Sequence, residues 1–460
     1  MLQQYTVSPI DRMADAIEKL HAATAIYTTD PIVDQLLDRI NWPHNHGNLV
    51  DPSCGDGAFL LRALERLLLT IGAHDDEALL RVEGWEIHPQ ACNEARQRIA
   101  TRLIVAGRSA SDATRLAKLM VKNSDFLTES PNLPTWDTIA GNPPYLRWLG
   151  VPVPLRRQYS GVVPGYASAD LLHSFLDRCT KALRPDGVIA FVTADRWLVN
   201  KQAAELREMI GKSVSIAHLE RLDAKTAFYR PKQRRLSTPA RVHPVAVVLT
   251  HGGNALQITK QAIYPGVDAS TYAGLPTLGS IAQVKLAPWL GTDGVFVVDA
   301  LTTRKLPQDF LVPVVTASDL TSDGVRPASK YAIRTVPGEV PPQAIQDHLR
   351  QQMPRMSPRG RKGSPWTPPE TFHRWDLSRP TLMIPRISLN AYPHKIEAGR
   401  LPIDHHLSIS CSSQELLDKI AEALRHPLST KWLQEHAQRL EDGYVFITAT
   451  LLRQLPLMLE

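Results

Sequence analysis

Cysteine is scarce in this chain: four residues in 460, Cys54, Cys92, Cys179 and Cys411, scattered without metal-ligand spacing. That argues against a disulfide framework and against a zinc site, so no metal is expected. No apolar run reaches membrane-spanning length. The opening "MLQQYTVSPIDRMADAIEKL" lacks a secretory pattern and reads as an amphipathic helix with charges of both signs. The expected compartment is therefore cytoplasmic, with no membrane partner. Internal repeats are absent, and so is a convincing Asp…Glu-x-Lys cluster, which argues against a fused nuclease. Acidic residues are outnumbered: the formal charge of +6 and pI near 9.1 fit a polyanionic partner, although many cytosolic proteins reach these values without one.

What is present is an alternation. From about residue 45 to 250, short apolar runs interchange with helical patterns. "GNLVDPSCGDG" reads as a buried strand entering a Gly-rich turn, "RVEGWEI", "TWDTIAG" and "DGVIAFVTA" as further strands, and "SIAHLERL" and "HPVAVVLTH" as later ones. Between them lie the helical stretches "AFLLRALERLLLTIG", "PQACNEARQRIATRLI" and "SADLLHSFLDRCTKALRP". The pattern predicts an α/β domain over residues 1–252, with a mainly parallel sheet covered by helices on both faces and ligands at the carboxyl ends of its strands. Beyond it, prolines and short strand-like pieces ("GVFVVD", "FLVPVV", "RPTLMIPRIS", "LSISCSS") precede a helical close, giving a second domain, 253–460, of mixed α+β type. Between Arg350 and Arg400 stand ten Lys or Arg against three acids. "RMSPRGRKGSPWTPPE" reads either as a solvated linker or as a phosphate-tracking loop, with Arg359, Arg361 and Lys362 at its centre and Trp366, His373 and Trp375 nearby as base contacts.

The chemistry sits at the strand tips. "LVDPSCGDGAFL" ends a strand at Asp51 and places Gly55 and Gly57 in a tight turn that opens a helix at Ala58. Glycine lets the backbone approach a ligand, but the spacing departs from the dinucleotide pattern G-x-G-x-x-G, and Asp51 and Asp56 would repel a pyrophosphate. A cofactor with a cationic portion suits this turn better. In "GWEIHP", Glu86 is either a surface acid or a grip for a ribose diol. In "NSDFL", Asp125 is placed to accept from an adenine amino group, with Phe126 packing on the ring. "DTIAGNPPYLRW" then breaks off a strand with two prolines, which lack backbone donors and hold φ near −65°. The chain is stopped and aimed there, presenting the Asn142 amide, the Pro143 carbonyl and the Tyr145 ring to a flat, amine-bearing group. Four such tips in this order are harder to attribute to accident than any one of them.

These stretches resemble the gamma-class N6-adenine DNA methyltransferases of bacterial restriction-modification systems. The resemblance runs through "YTTDPIVDQLLDRI", "DPSCGDGAFL", "GWEIHP", "NSDFL", "GNPPY" and "ADLLHSFLDRCTKALRPDGVIAFVTADRWL", and extends to "RPTLMIPRIS" and "LLRQLPL". It implies a Rossmann-like catalytic domain whose Thr28, Asp51, Gly55, Glu86, Asp125 and Phe126 line an S-adenosylmethionine pocket, and whose Asn142, Pro143 and Tyr145 take the target base. It also implies that Phe228 helps to hold a flipped base, that residues 253–460 recognise the target in double-stranded DNA, and that a cognate restriction endonuclease is the functional counterpart. A protein-glutamine or RNA-base methyltransferase with the same catalytic turn, or an inactive DNA-binding module, are the alternatives.

Overall fold

The computed structural model describes residues 9–44, 47–229, 243–252, 255–267, 269–321, 324–357 and 364–459. The chain divides into two compact units, Met1–Gly266 and Val267–Glu460.

In the first unit the strands are β1 (Tyr27–Thr28), β2 (Leu49–Asp51), β3 (Val82–Trp85), β4 (Val121–Lys122), β5 (Trp136–Gly141), β6 (Leu183–Ala194), β7 (Ser215–Arg221), β8 (Phe228–Tyr229), β9 (Pro244–Thr250) and β10 (Leu256–Gln257). Eight of them form one sheet in the order β10-β7-β9-β6-β5-β2-β3-β4, while β1 and β8 pair as a separate ribbon. From β4 to β6 every pairing is parallel; β9 runs antiparallel between β6 and β7. Alternate residues of the central strands feed opposite faces. Val50, Ile139, Phe191 and Val247 enter one core with the helices Pro9–Thr24 and Leu171–Ala182, whereas Leu49, Ala140, Ala190 and Val248 enter another with the helices Asp30–Arg39, Ala58–Ile71 and Pro89–Val105. Burial on both faces is why these strands read as continuous apolar runs rather than alternating ones.

The expected strands and helices of this unit recur with boundaries shifted by a few residues. An unexpected pair is the helix Ala110–Met120 and the two-residue β4 behind it. β4 is too short to show any periodicity, yet it carries "NSDFL" to the sheet edge. Because β5, β2, β3 and β4 are parallel neighbours, their carboxyl ends fall side by side, and with them Asn142, Asp51, Glu86 and Asp125.

The second unit is mixed α+β. One antiparallel sheet joins Gln283–Leu286, Leu407–Ser410, Thr381–Ile384 and His394–Ile396; another joins Val297–Asp299, Lys330–Ile333, Leu311–Val315 and Leu401–Pro402, the last pair being parallel. The helices Gln414–Arg425 and Pro427–His436, broken at His426 before Pro427, close over the first of these. Trp366 and Trp375 are half-buried against the apolar core of the second sheet, under the cations of Arg350 and Lys285 at 5.3 and 5.6 Å. Among the described residues no helix is long and apolar enough to cross a membrane, and no group of three His, Cys, Asp or Glu is placed to hold a metal ion.

Candidate active site

The turn after β2 is shaped by what lies against it. Gly55 adopts φ 56°, and a Cβ there would lie 2.5 Å from Cε1 of Tyr27, so conformation and space both demand glycine. Its N–H donates to Glu86 Oε2 at 2.8 Å, and the other carboxylate oxygen of Glu86 accepts from the His88 N–H at 2.8 Å. Glu86 thus ties the Gly-rich turn to the turn after β3. Each oxygen keeps a second lone pair for a diol. The end of β5 is equally tight: a Cβ on Gly141 would lie 2.5 Å from Asp51 Oδ1.

Three carboxylates are buried at these tips: Asp51, Glu86 and Asp125. Burial pushes Asp51 up to about 8 against the pull of the Ser53 N–H, with Glu86 and Asp56 adding repulsion. Burial likewise raises Glu86, opposed by the N–H groups of His88 and Gly55. Asp125 is lifted to about 6 by burial, with the facing Tyr159 hydroxyl and the Leu127 N–H holding part of the rise back. Asp56, expected to add charge to the turn, is already answered by Arg98 at 2.8 Å and by the Tyr229 hydroxyl at 2.7 Å.

Asn142 follows β5 directly. Its Nδ2 donates to the Ile26 carbonyl at 3.0 Å, which fixes the amide and leaves Oδ1 as an acceptor with no hydrogen-bond partner. Thr28 Oγ1, Ser53 Oγ and Asp125 Oδ2 are buried and unpartnered in the same way. All four groups line one cleft. Unmet polar groups are uncommon in protein interiors, and four facing a single cleft mark a polar ligand's place.

Most of the expected site residues meet there: Thr28, Asp51, Gly55, Glu86, Asp125, Phe126 and Asn142 all line the cleft. Phe126 is 2% exposed, edge-on to Trp85, tilted against Trp136 and stacked with Phe175. Pro143 is buried and is not among the lining residues, whereas its neighbour Pro144 reaches the cleft. Tyr145 is half-buried against the apolar core and Phe228 pairs with Thr28 in the β1–β8 ribbon; neither is among the lining side chains. Arg359, Arg361 and Lys362 lie outside the described residues.

Sequence reasoning missed several participants. Ile26 anchors Asn142 through its carbonyl, and Tyr159 faces Asp125. Asp170 accepts from the N–H groups of Leu146 and Leu172, so it caps the helix Leu171–Ala182 while holding the exit of the Asn142 turn. An Asp before an apolar helical run is a cap signal, so Asp170 was open to prediction. A backbone carbonyl such as that of Ile26 leaves no signal in sequence.

The first unit is thus a mainly parallel sheet in which β9 and β10 run antiparallel to their neighbours, with buried acids at three of the parallel strand tips. Residues 10–228, a little under half of the chain, match the family described as Eco57I restriction-modification methylase. The type II methyltransferase M.XhoI of Xanthomonas vasicola is 28% identical over 342 residues, 62% of this chain and 62% of that protein. M.PaeR7I of Pseudomonas aeruginosa, another type II methyltransferase, is 30% identical over 274 residues, 56% of this chain and 46% of that protein. The matches thus span about half to three fifths of the curated relatives' length. The type IIL restriction-modification enzyme MmeI, solved in complex with DNA, shares the fold with a TM-score of 0.56 at 12% identity, covering 96% of this chain and 67% of its own.

Proposed function

We propose that the chain transfers the methyl group of S-adenosylmethionine to N6 of an adenine in a specific sequence of double-stranded DNA, protecting that DNA from a cognate restriction endonuclease. The observation that carries this reading is Asn142: its amide is tethered through Nδ2, and its unpartnered Oδ1 faces the cleft where the buried acids converge.

The residues present fit the cofactor. Glu86 retains lone pairs for a ribose diol, Asp125 Oδ2 is an open acceptor for an adenine amine, and Asp51 lies buried without a cation. When bound, the cofactor supplies a strongly electrophilic methyl on a sulfonium. The chain's task is to prepare the nucleophile. An adenine N6 lone pair is delocalised into its ring. Acceptance of one N6 hydrogen by Asn142 Oδ1 and of the other by the Pro143 carbonyl draws that pair out of conjugation and aims it at the methyl group. Fixed dipoles and positioning do this without a strong base. The amine is inaccessible in a stacked duplex, so the base is flipped out, with Tyr145 and Phe228 replacing the lost stacking. Residues 267–460 supply base-edge contacts, because a flipped adenine looks the same at every site.

The test is Asn142→Ala. Methyl transfer should fall by at least about 10² while S-adenosylmethionine affinity stays near the parent value, since the lost acceptor acts in the transition state. Near-parent transfer by this variant would refute the mechanism.

A further inference from the structure

The chain leaving the catalytic turn is pinned on both sides. Leu146 N donates to Asp170 Oδ1 at 3.1 Å, Leu171 N to the Leu146 carbonyl at 2.8 Å, and Trp148 N to the Ala169 carbonyl at 3.1 Å. Beyond this seam lies a second cleft, whose lining includes Arg147, Asp170, His173, Arg196, Lys201 and Lys260 and shares no residue with the first.

Its charges are unevenly matched. Arg196 is answered by Asp170 at 3.2 Å and Lys260 by Glu208 at 3.1 Å. Glu205 is the other carboxylate in the lining. Arg147 and Lys201 are exposed, and neither makes an ion pair or side-chain hydrogen bond among the described residues. His173, 5% exposed, lines the same cleft with an unpartnered Nδ1. Burial holds its imidazole down to about 4, so the ring is neutral near pH 7 and carries one N–H donor. Leu149, 86% exposed, stands at the rim. Two unmatched cations beside a buried, under-used imidazole are the chemistry of a phosphate site.

We infer that this cleft holds the backbone phosphates flanking the adenine presented to Asn142, an inference that rests on the DNA-methylation reading above. A nucleotide swung out of the helix turns about its own backbone, so its flanking phosphates stay at the mouth of the pocket. Arg147 belongs to the same short segment as Asn142, on the far side of the seam. Phosphate contacts fix position and register without reading sequence. The cleft therefore contributes affinity at every site and leaves the choice of site untouched.

The full chain carrying Arg147→Ala with Lys201→Ala tests this, with linear unmethylated plasmid DNA and S-adenosylmethionine labelled on its methyl group. Both side chains are exposed, so folding is not at stake. Each phosphate contact contributes about 0.9 to the slope of log affinity against log salt, so the slope should become shallower by about 1.8, and the KM for DNA should rise roughly tenfold. The kcat, the affinity for S-adenosylmethionine and the sequence modified should stay as in the parent. Arg147→Lys with Lys201→Arg should restore the slope. The charge-matched control Lys118→Ala with Lys212→Ala, on exposed positions outside both clefts, should leave it unchanged. A parental slope and KM in the first variant, or equal flattening in the control, would overturn the inference and return the cleft to a solvated surface. A parent chain that binds S-adenosylmethionine but methylates no DNA would overturn the DNA-methylation reading itself, and this inference with it.

Discussion

The two units bury different things. Among the described residues the second unit hides only hydroxyls among its polar side chains: Thr303, Thr316, Thr335, Ser408 and Ser429. The first buries Asp51, Glu86, Asp125, Asp170 and Asp177, together with Arg207, His88 and His173. Within that group the acids divide again. Asp170 and Asp177 are answered by Arg196 at 3.2 Å and Lys181 at 2.8 Å, and they serve the fold. Asp51, Glu86 and Asp125 have backbone N–H donors but no cation among the described residues. Burying charge without a partner is costly, and such groups persist where a ligand completes them. Among the described residues the second unit carries no comparable cluster of buried charge.

Breaking the tip acids should therefore damage ligand binding more than folding. The largest effect is expected from Glu86→Ala, which removes the acceptor for Gly55 and His88 as well as the proposed diol contact. Hydrogen bonds to a charged group contribute about 1.5–3 kcal/mol each, so calorimetry should show S-adenosylmethionine affinity down by about 10² or more. Retained affinity would mean the ribose lies elsewhere.

Asp51 gives a pH signature. With its folded pKa raised to about 8 from the model-compound 3.8, the unliganded protein holds a proton there that the unfolded chain has released. That contribution to stability is fully present below the unfolded value and is lost as pH rises toward 8. A cationic ligand favours the ionised form. Affinity for S-adenosylmethionine should accordingly rise by up to about tenfold per pH unit until roughly pH 8 and then level off, with proton release on binding. Asp51→Asn should flatten the profile; an unchanged profile would assign the linkage to another group.

The smallest effect is the sharpest comparison. Thr28 and Thr335 are 1% and 4% exposed, and both have an unpartnered Oγ1. Exchanging either for Val removes an unsatisfied hydroxyl, so melting temperatures should hold or rise slightly. Thr28→Val should nevertheless weaken S-adenosylmethionine binding several-fold, a hydrogen bond's worth of about 1 kcal/mol, whereas Thr335→Val should leave it alone. Equal effects at the two positions would erase the distinction between the units.

The alternation of apolar runs made the sheet of the first unit legible, and the residue types at its tips made most of the site legible, because both are local properties of sequence. What was hidden depends on distant pairing. β4 is two residues long and is recognisable only by its place beside β3. Ile26 meets Asn142 across 116 positions through a backbone carbonyl. Tyr229 meets Asp56 across 173 positions, closing a β1–β8 ribbon that no periodicity announces. Nothing in the sequence marks Arg147 and Lys201 apart from ordinary surface charge, since only the fold sets them in one cleft with His173.

The proposed function requires these unmet acceptors to prepare an adenine amine for methylation. Plasmid DNA incubated with the purified full chain and methyl-labelled S-adenosylmethionine, digested to nucleosides and resolved by mass spectrometry, tests it most directly. The label should appear as N6-methyladenine at one recurring sequence, and in none of the products of Asn142→Ala. Label on cytosine N4, or on no nucleoside while the protein binds S-adenosylmethionine, would contradict it.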